Sequence, residues 1–437
     1  MLLQFAVENV LSFRDQAVLS LLAAPGVEHQ PRQVIEVEGL PTPVLRVAAL
    51  YGANASGKSN LVQALAMVRR LILHGTHPGQ RVPIEPFKLD PRPMLEPSHV
   101  ELELYAEGRR WSYGFEWTHH RVESEWLFVH HDGVEQPVFR RWAEDDGGQV
   151  HIEVDESFVV DDERRRFWRF VAEGTRPNQL FVTEARDRNI GELGPLLSAV
   201  DEGLVTVAAG EEAKDLRLRL EQDAELLAFA SDLLRESGTG VSRVEVVRGA
   251  RVQAGDEVEL GDGVEQWLQV RSSRRRLVFS HEAPSGASGV SSGAKLEEHE
   301  ESDGTRRLVG LAPPVFSLLH ADTSVFVDEL DRSLHTLLSR HLIERFLATD
   351  PASSGQLVFT THDTNLLDLG LLPRDSVWFV EKDGGGGSTL YSLSEFKPEQ
   401  LAELGNRVEQ GYLNGRFGGI PFLGDPRRLG WTKIKAS

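Results

Sequence analysis

Apolar positions along this chain repeat with two different periods, and the changes of period mark its organisation. Leu3, Phe5 and Val7 alternate with polar neighbours as a half-buried strand does, and Asn9 to Asp15 (NVLSFRD) is turn-like. Val44 to Tyr51 (VLRVAALY) is an almost unbroken apolar run, the pattern of a strand buried on both faces. Leu61, Leu65, Val68 and Ile72 then recur at spacings of four, three and four, which predicts a helix. From Val100 to Arg141 the period returns to two. Val100, Leu102 and Leu104 alternate, then Trp111, Tyr113, Phe115 and Trp117 after Glu107-Gly108, then Trp126 and Phe128 up to Asp132-Gly133, before Val138 and Phe139. This predicts an antiparallel meander. Its aromatics could stack on bases, but the alternation fits one buried face of a sheet.

Residues 160–240 are richer in helix formers, with a stripe at Leu226, Phe229, Ala230 and Leu233 closed by Ser237 to Gly240. Strands resume at Val244, Val246 and Val247 and at Val258 and Leu260, and the small residues of Ser285 to Gly293 (SGASGVSSG) read as a flexible loop. Three short apolar strands follow. Thr323 to Val327 ends in Asp328-Glu329, Leu357 to Phe359 ends in Thr360-Thr361-His362-Asp363, and Val377 to Val380 ends in Glu381. Polar residues gathered where buried strands stop predict the carboxyl edge of a parallel sheet, where ligands bind. The expected fold class is α/β, divided into an N-terminal lobe (1–160) with a β meander, a helical insertion (161–243) and a C-terminal lobe (244–437). No internal repeat and no long heptad array is visible.

The predicted strand and helix flank Gly52 to Ser59, GANASGKS, a match to G-x-x-x-x-G-K-[ST]. In that pattern the backbone N–H groups of a glycine-rich loop and a helix N-terminus wrap a phosphate chain. Gly52, Asn54, Ala55, Ser56, Gly57, Lys58, Ser59 and Asn60 are the candidate nucleotide-binding residues, with Lys58 reaching the terminal phosphates and Ser59 ligating magnesium. An accidental glycine turn would leave the buried strand, the lysine and the helix unexplained. Asp328 is placed to hold the magnesium shell, and the adjacent Glu329 to orient or deprotonate an attacking water, which points to hydrolysis rather than nucleotide binding alone. His362, after the next strand, is a candidate contact to the γ-phosphate. The doublets His119-His120 and His130-His131 are poor metal chelators, because neighbours on a strand point to opposite faces.

The chain of 437 residues is 40% apolar and 26% charged, as a soluble globular protein is, and no stretch approaches the ~18 apolar residues of a membrane span. The strand-like start is unlike a signal peptide, so a cytoplasmic protein with no membrane partner is expected. The absence of cysteine excludes disulfides, zinc fingers, iron–sulfur clusters and cysteine nucleophiles. A net charge of −20 opposes a large non-specific nucleic-acid surface. Two local basic runs, Arg164 to Arg166 with Arg169 and Arg271 with Arg274 to Arg276, leave nucleic acid open as a partner but read more simply as solvated faces.

GANASGKS, EESDGTRRL (Glu300 to Leu308), VFVDELDRSLH (Val325 to His335) and FTTHDTNLL (Phe359 to Leu367) resemble the phosphate loop, signature, acidic motif with its D-loop, and switch histidine of ABC-type ATPase heads. The start FAVENVLSFRD and the segment GYLNGRFGGIPFLGD (Gly411 to Asp425) resemble more closely the bacterial AAA/ABC-like ATPases allied to RecF and SMC heads, found in abortive-infection and PARIS-type phage-defence systems. The resemblance covers nearly the whole chain, least distinctively in its middle third. It implies a P-loop NTPase of ABC-head type that uses ATP and Mg²⁺ and closes on a second copy of itself. Ser302, Gly304 and Thr305 would then contact the γ-phosphate in trans, with Asp331 and Ser333 lining the seam. In a single chain, Ser302 and Asp303 are simply good helix caps. The family further implies a homodimeric switch for a separate effector such as a TOPRIM-type nuclease, or alternatively a RecF-like clamp on DNA. A non-hydrolysing scaffold and a transporter subunit fit less well, given Asp328-Glu329 and no evident Q-loop glutamine near Pro86 to Asp90. The signature reads ESDGT rather than LSGGQ. No Asp-x-Asp follows Glu381, so no nuclease site is expected in this chain.

Overall fold

A computed structural model describes residues 1–92, 94, 96–131, 133–144, 150–210, 216–248, 275–281, 294–350, 355–397, 401 and 407–420. Strands β1 (Leu2–Glu8), β2 (Ala17–Ser20), β3 (Val34–Ile35), β4 (Val44–Leu45) and β5 (Val47–Tyr51) lead into helix α1 (Lys58–His74). The meander comprises β6 (Ser98–Ala106), β7 (Arg109–Trp117), β8 (Val122–His131), β9 (Val134–Ala143) and β10 (Val150–Val154). Next come α2 (Asp162–Gly174), α3 (Phe181–Asp187), α4 (Gly194–Asp201), β11 (Leu204–Val207), α5 (Leu216–Gln222) and α6 (Ala224–Glu236). The second half holds β12 (Val241–Arg248), β13 (Arg275–His281), β14 (Lys295–Glu297), α7 (Asp303–His320), β15 (Ser324–Val327) and α8 (Thr336–Leu347). It continues with β16 (Gln356–Thr360), β17 (Val377–Lys382), β18 (Ser388–Ser392) and α9 (Val408–Leu413).

The continuous apolar runs assemble into one sheet of order β11-β15-β16-β5-β17-β18, parallel except for the final pair. Every residue of β5, β15 and β16 is buried, which is why these runs show no alternation. Successive side chains still part to opposite faces. Ala48, Leu50, Phe326, Val358 and Val380 join α1 and the antiparallel sheet in one core, while Val47, Ala49, Tyr51, Val325 and Phe359 join α8 and α9 in another. The run Val44 to Tyr51 is two strands rather than one, broken at Arg46. That side chain is fully buried, donates to the carbonyls of Arg32, Phe346 and Thr349, and lies 4.7 Å over the Phe346 ring.

The alternating segments form a second, antiparallel sheet of order β10-β9-β8-β7-β6-β1-β2. Trp111, Tyr113, Phe115 and Trp117 are its buried face, as their spacing predicts, and are closed off from any base. Gly114 is required beneath Trp126, because a Cβ there would lie 2.4 Å from the indole ring. Gln356 joins the two sheets. Its carbonyl accepts the Leu2 N–H at 2.9 Å, and its amide donates to the carbonyls of Leu2 and Leu45. The segment read as helical also contributes β11, which pairs with β15 at the sheet edge. Its helices α5 and α6 pack with β12 and β13 against the apolar face of α7, through Leu220, Leu226, Ala230, Phe279, Leu308 and Val309. Val258, Leu260, the loop Ser285 to Gly293, Arg271 and Arg274 lie outside the described residues. Among the described residues no helix is long and apolar enough to cross a membrane.

One buried carboxylate ties the meander to the helices. Glu125 is wholly inaccessible; it accepts N–H groups of Phe181 (2.6 Å) and Val182 (2.9 Å) at the start of α3, the Tyr113 hydroxyl (3.0 Å) and Arg141 Nη1 (3.2 Å). Removing one partner of such a cluster strands the others in low dielectric. Glu125→Ala is therefore expected to destabilise the protein by about 3–5 kcal/mol, whereas Glu144→Ala, at an exposed pair with His151, changes stability by less than about 0.5 kcal/mol. Thermal and urea unfolding of the two variants check this, and equal effects would refute the assigned role.

Candidate active site

The loop between β5 and α1 has a geometry that only its own residues permit. A Cβ on Gly52 would lie 2.3 Å from the Val380 carbonyl oxygen, and one on Gly57 would lie 2.3 Å from Ser388 Oγ and 2.7 Å from Ser12 Oγ. Gly57 (φ 119°) and Ala55 (φ 61°) take left-handed backbone, glycine comfortably and alanine at a cost. Gly57 is also the N-cap of α1 and offers no capping side chain, so the first amides of the helix face the loop's hollow unshielded by a cap. Ser388 Oγ braces the loop from behind, donating to the Ser56 carbonyl at 2.6 Å and accepting the Ser12 hydroxyl at 2.8 Å. Asn54 and Ala55 are exposed at the loop tip, Asn60 is half-buried on the first turn of α1, and Ser56 Oγ is buried with no hydrogen-bond partner.

Lys58 is 5% exposed, and its ammonium folds back onto the carbonyls of Gly52 (2.7 Å) and Ala53 (3.1 Å). Burial pulls its pKa down to about 8 against the opposing pull of Asp328, Glu329 and Asp331. Asp328, at the carboxyl end of β15, is the hub. Its Oδ1 accepts the Ser59 hydroxyl at 3.0 Å and the Thr360 hydroxyl at 2.6 Å, so the ends of three neighbouring segments meet on one carboxylate. Thr360 Oγ1 in turn accepts the Glu329 N–H at 2.8 Å.

Glu329 adopts φ 51°, a strained conformation for a residue with a Cβ, and strain of this kind collects at functional sites. The turn is held by Arg307 on α7, which donates to the carbonyls of both Asp328 and Glu329 at 3.0 Å. Burial, with Arg332 nearby, lowers the Arg307 pKa. The Glu329 carboxylate is part exposed and pairs with Arg332 at 3.3 Å. Asp331 accepts the His362 N–H through Oδ2 at 3.4 Å, and its Oδ1 is buried without a partner. Partial burial and the charge of Lys58 depress the His362 pKa below the usual histidine value, which favours a neutral imidazole at pH 7.

The signature residues sit at the other end of this turn. Ser302 caps α7 by accepting the Thr305 N–H at 3.1 Å, and its hydroxyl lies 2.9 Å from that of Thr305, which is itself buried. The Gly304 Cα is close enough to the Ser333 carbonyl that a Cβ would stand 2.9 Å from it, so the turns that precede α7 and α8 are in contact within one chain. Ser302 and Ser333 are exposed. Their hydrogen bonds do not reach the phosphate loop, whereas Lys58, Ser59, Asp328, Glu329 and His362 are brought together. Thr360, Arg307, Ser388 and Ser12 escaped the sequence reading as site residues. Thr360 ends a buried strand beside His362 and could have been suspected; the two serines carry no such signal.

Residues 47–368 match the family described as "AAA domain, putative AbiEii toxin, Type IV TA system". No curated protein matches the chain. Among solved structures, the SMC head domain from Thermotoga maritima aligns at 13% identity over 90% of this chain and 98% of that one, with a TM-score of 0.38. The SmcHead bound to the C-winged helix domain of ScpA aligns at 12% identity over 92% and 99%, with a TM-score of 0.45. Likenesses at these scores carry no argument about function. The family match does, and since it covers well over half of the residues, the chain belongs to this family of AAA domains.

Proposed function

We propose that this protein binds and hydrolyses ATP, closing as a homodimer around the nucleotide, and that closure switches a separate effector. The observation that carries the reading is the meeting of Ser59 and Asp328 at 3.0 Å beside a buried lysine and a glycine-built loop. Two hard oxygen donors at that spacing suit Mg²⁺, which when bound would neutralise charge on the phosphate oxygens. Lys58 and the loop amides hold the phosphates, Gly52 and Asn54 to Asn60 forming the cradle. Glu329 takes the proton of the attacking water once its carboxylate leaves Arg332. His362, neutral, hydrogen-bonds the γ-phosphate.

Closure on a second copy would bring Ser302 and Gly304 to the partner's γ-phosphate, with Asp331 and Ser333 at the seam. Thr305, its side chain buried and its N–H held by Ser302 Oγ, would act at that contact by fixing the Ser302 hydroxyl. The exposed Ser333 and Leu337, 69% exposed at the start of α8, support a surface that expects a partner there. On this reading residues 1–160, 161–243 and 244–437 act as the N-terminal lobe, helical insertion and C-terminal lobe. The toxin–antitoxin description of the family favours an effector of toxic character, such as a nuclease in anti-phage defence. A DNA clamp has less support. Arg164 pairs with Glu192, Arg165 with Asp162, Arg275 with Glu221 and Arg276 with Glu297, which leaves these arginines engaged within the chain.

Glu329→Gln is expected to lower ATP turnover by about 10²–10⁴-fold while nucleotide binding persists. Phosphate release at the normal rate would overturn the assignment of the base. By light scattering, Glu329→Gln is expected to double in mass with ATP and Mg²⁺, and adding Leu337→Glu to keep it monomeric. A mass that never responds to nucleotide would remove the trans roles of Ser302, Gly304 and Asp331.

A further inference from the structure

The segment from Val408 to Gly419 is remote from the phosphate loop in sequence and pressed against it in space. Helix α9 places Tyr412 in an aromatic stack with the last residue of β5. Its ring meets Tyr51 edge-on at 5.9 Å and lies parallel to Phe379 at 5.4 Å, and Phe417 covers Phe379 at 5.8 Å. The chain then turns through Gly418 and Gly419, both left-handed at φ 69° and 67°. A Cβ on Gly418 would fall 2.4 Å from the Tyr391 hydroxyl, and the Cβ position of Gly419 lies 3.6 Å from the Gly52 Cα, in ordinary packing contact with the loop. Tyr391 fixes this turn by donating to the Phe417 carbonyl at 2.7 Å.

One phenol oxygen fastens that turn against the loop. Tyr412 donates its hydroxyl proton to the Gly419 carbonyl at 3.1 Å, and Gly419 in turn packs on Gly52. The Gly52 carbonyl accepts Lys58 Nζ at 2.7 Å. Two buried hydrogen bonds, Tyr412 to the Gly419 carbonyl and Lys58 to the Gly52 carbonyl, therefore lie on either side of the contact between the turn and the loop. Gly52 lacks a Cβ, so its own backbone preferences restrain it little; the restraint comes from what surrounds it.

We infer that Tyr412 is a positioning residue for the phosphate loop, and that the C-terminal segment thereby sets ATP affinity. The inference rests on the proposal that the loop binds ATP. By reciprocity, ATP held by the loop must also steady the segment that holds Gly52.

The test compares wild type, Tyr412→Phe and Lys58→Ala for binding of a fluorescent ATP analogue and for steady-state hydrolysis. Tyr412→Phe keeps the ring in its stack and removes the hydroxyl alone. It is expected to weaken nucleotide binding about fivefold and raise KM in step, the loss of one buried hydrogen bond, with kcat at saturating ATP and the unfolding temperature close to wild type. A merely structural role would instead lower kcat and the unfolding temperature together. In unmodified protein, ATP is expected to slow amide hydrogen exchange across residues 408–419, which requires no variant to fold. Wild-type affinity in Tyr412→Phe, or exchange there indifferent to ATP, overturns the inference while Lys58→Ala still fails to bind. If Lys58→Ala binds as tightly as wild type, the reading of the loop itself falls and takes this inference with it.

Discussion

The Asp328 carboxylate is the constraint from which the rest of the site follows. One of its oxygens receives hydroxyls from Ser59 and Thr360, residues on different segments that only the parallel sheet makes neighbours. An acid at 5% exposure needs such donors, because burying an unpaired charge costs several kcal/mol. The carboxyl edge of the sheet is thus a polar network whose members hold one another. Thr360 passes the constraint on to the Glu329 amide, and Arg307 holds the carbonyls of the same turn, so the left-handed Glu329 is fixed from two sides. Strain at that residue persists because its surroundings leave the backbone no alternative.

The phosphate loop shows the same logic in glycine and serine. Its hollow is open toward a ligand because its back is occupied. Val380 from β17, Ser388 from β18 and Ser12 from the N-terminal turn approach too closely for any side chain at Gly52 or Gly57. Segments near both ends of the chain therefore support a loop that lies between them, and the antiparallel sheet, tied to the parallel one through Gln356, carries the N-terminal turn into place. Gly304 touches Ser333 within the same chain, and Arg307 on α7 holds the Glu329 carbonyl, so movement of α7 would be felt at Glu329.

Much of this was legible from residue order. The alternating aromatics Trp111 to Trp117 became one buried face, and the stripe Leu61, Leu65, Val68 and Ile72 became the inner side of α1. Such patterns survive because they record which side of an element faces water, a local property. The errors of detail also have physical causes. Val44 to Tyr51 read as one strand because a single arginine hardly interrupts an apolar run, yet Arg46 finds enough carbonyl acceptors to be buried and the chain bends there. β11 hid among helices because four residues are too few to declare a period.

By itself the sequence determined that a glycine-rich loop with Lys58 and Ser59 links a buried strand to a helix, that acidic residues end a second such strand, and that an aromatic meander lies between. Fixed spacing and periodicity carry that information. Which side chains meet was decided only in three dimensions. Ser59 and Asp328 are 269 positions apart, and Gln356 reaches back 354 to Leu2. Glu125 caps a helix 56 residues on, and Tyr412 closes on the Gly419 turn packed against Gly52. A buried hydrogen bond depends on sheet order and register, which place donors within about 3 Å of acceptors that share no local pattern with them.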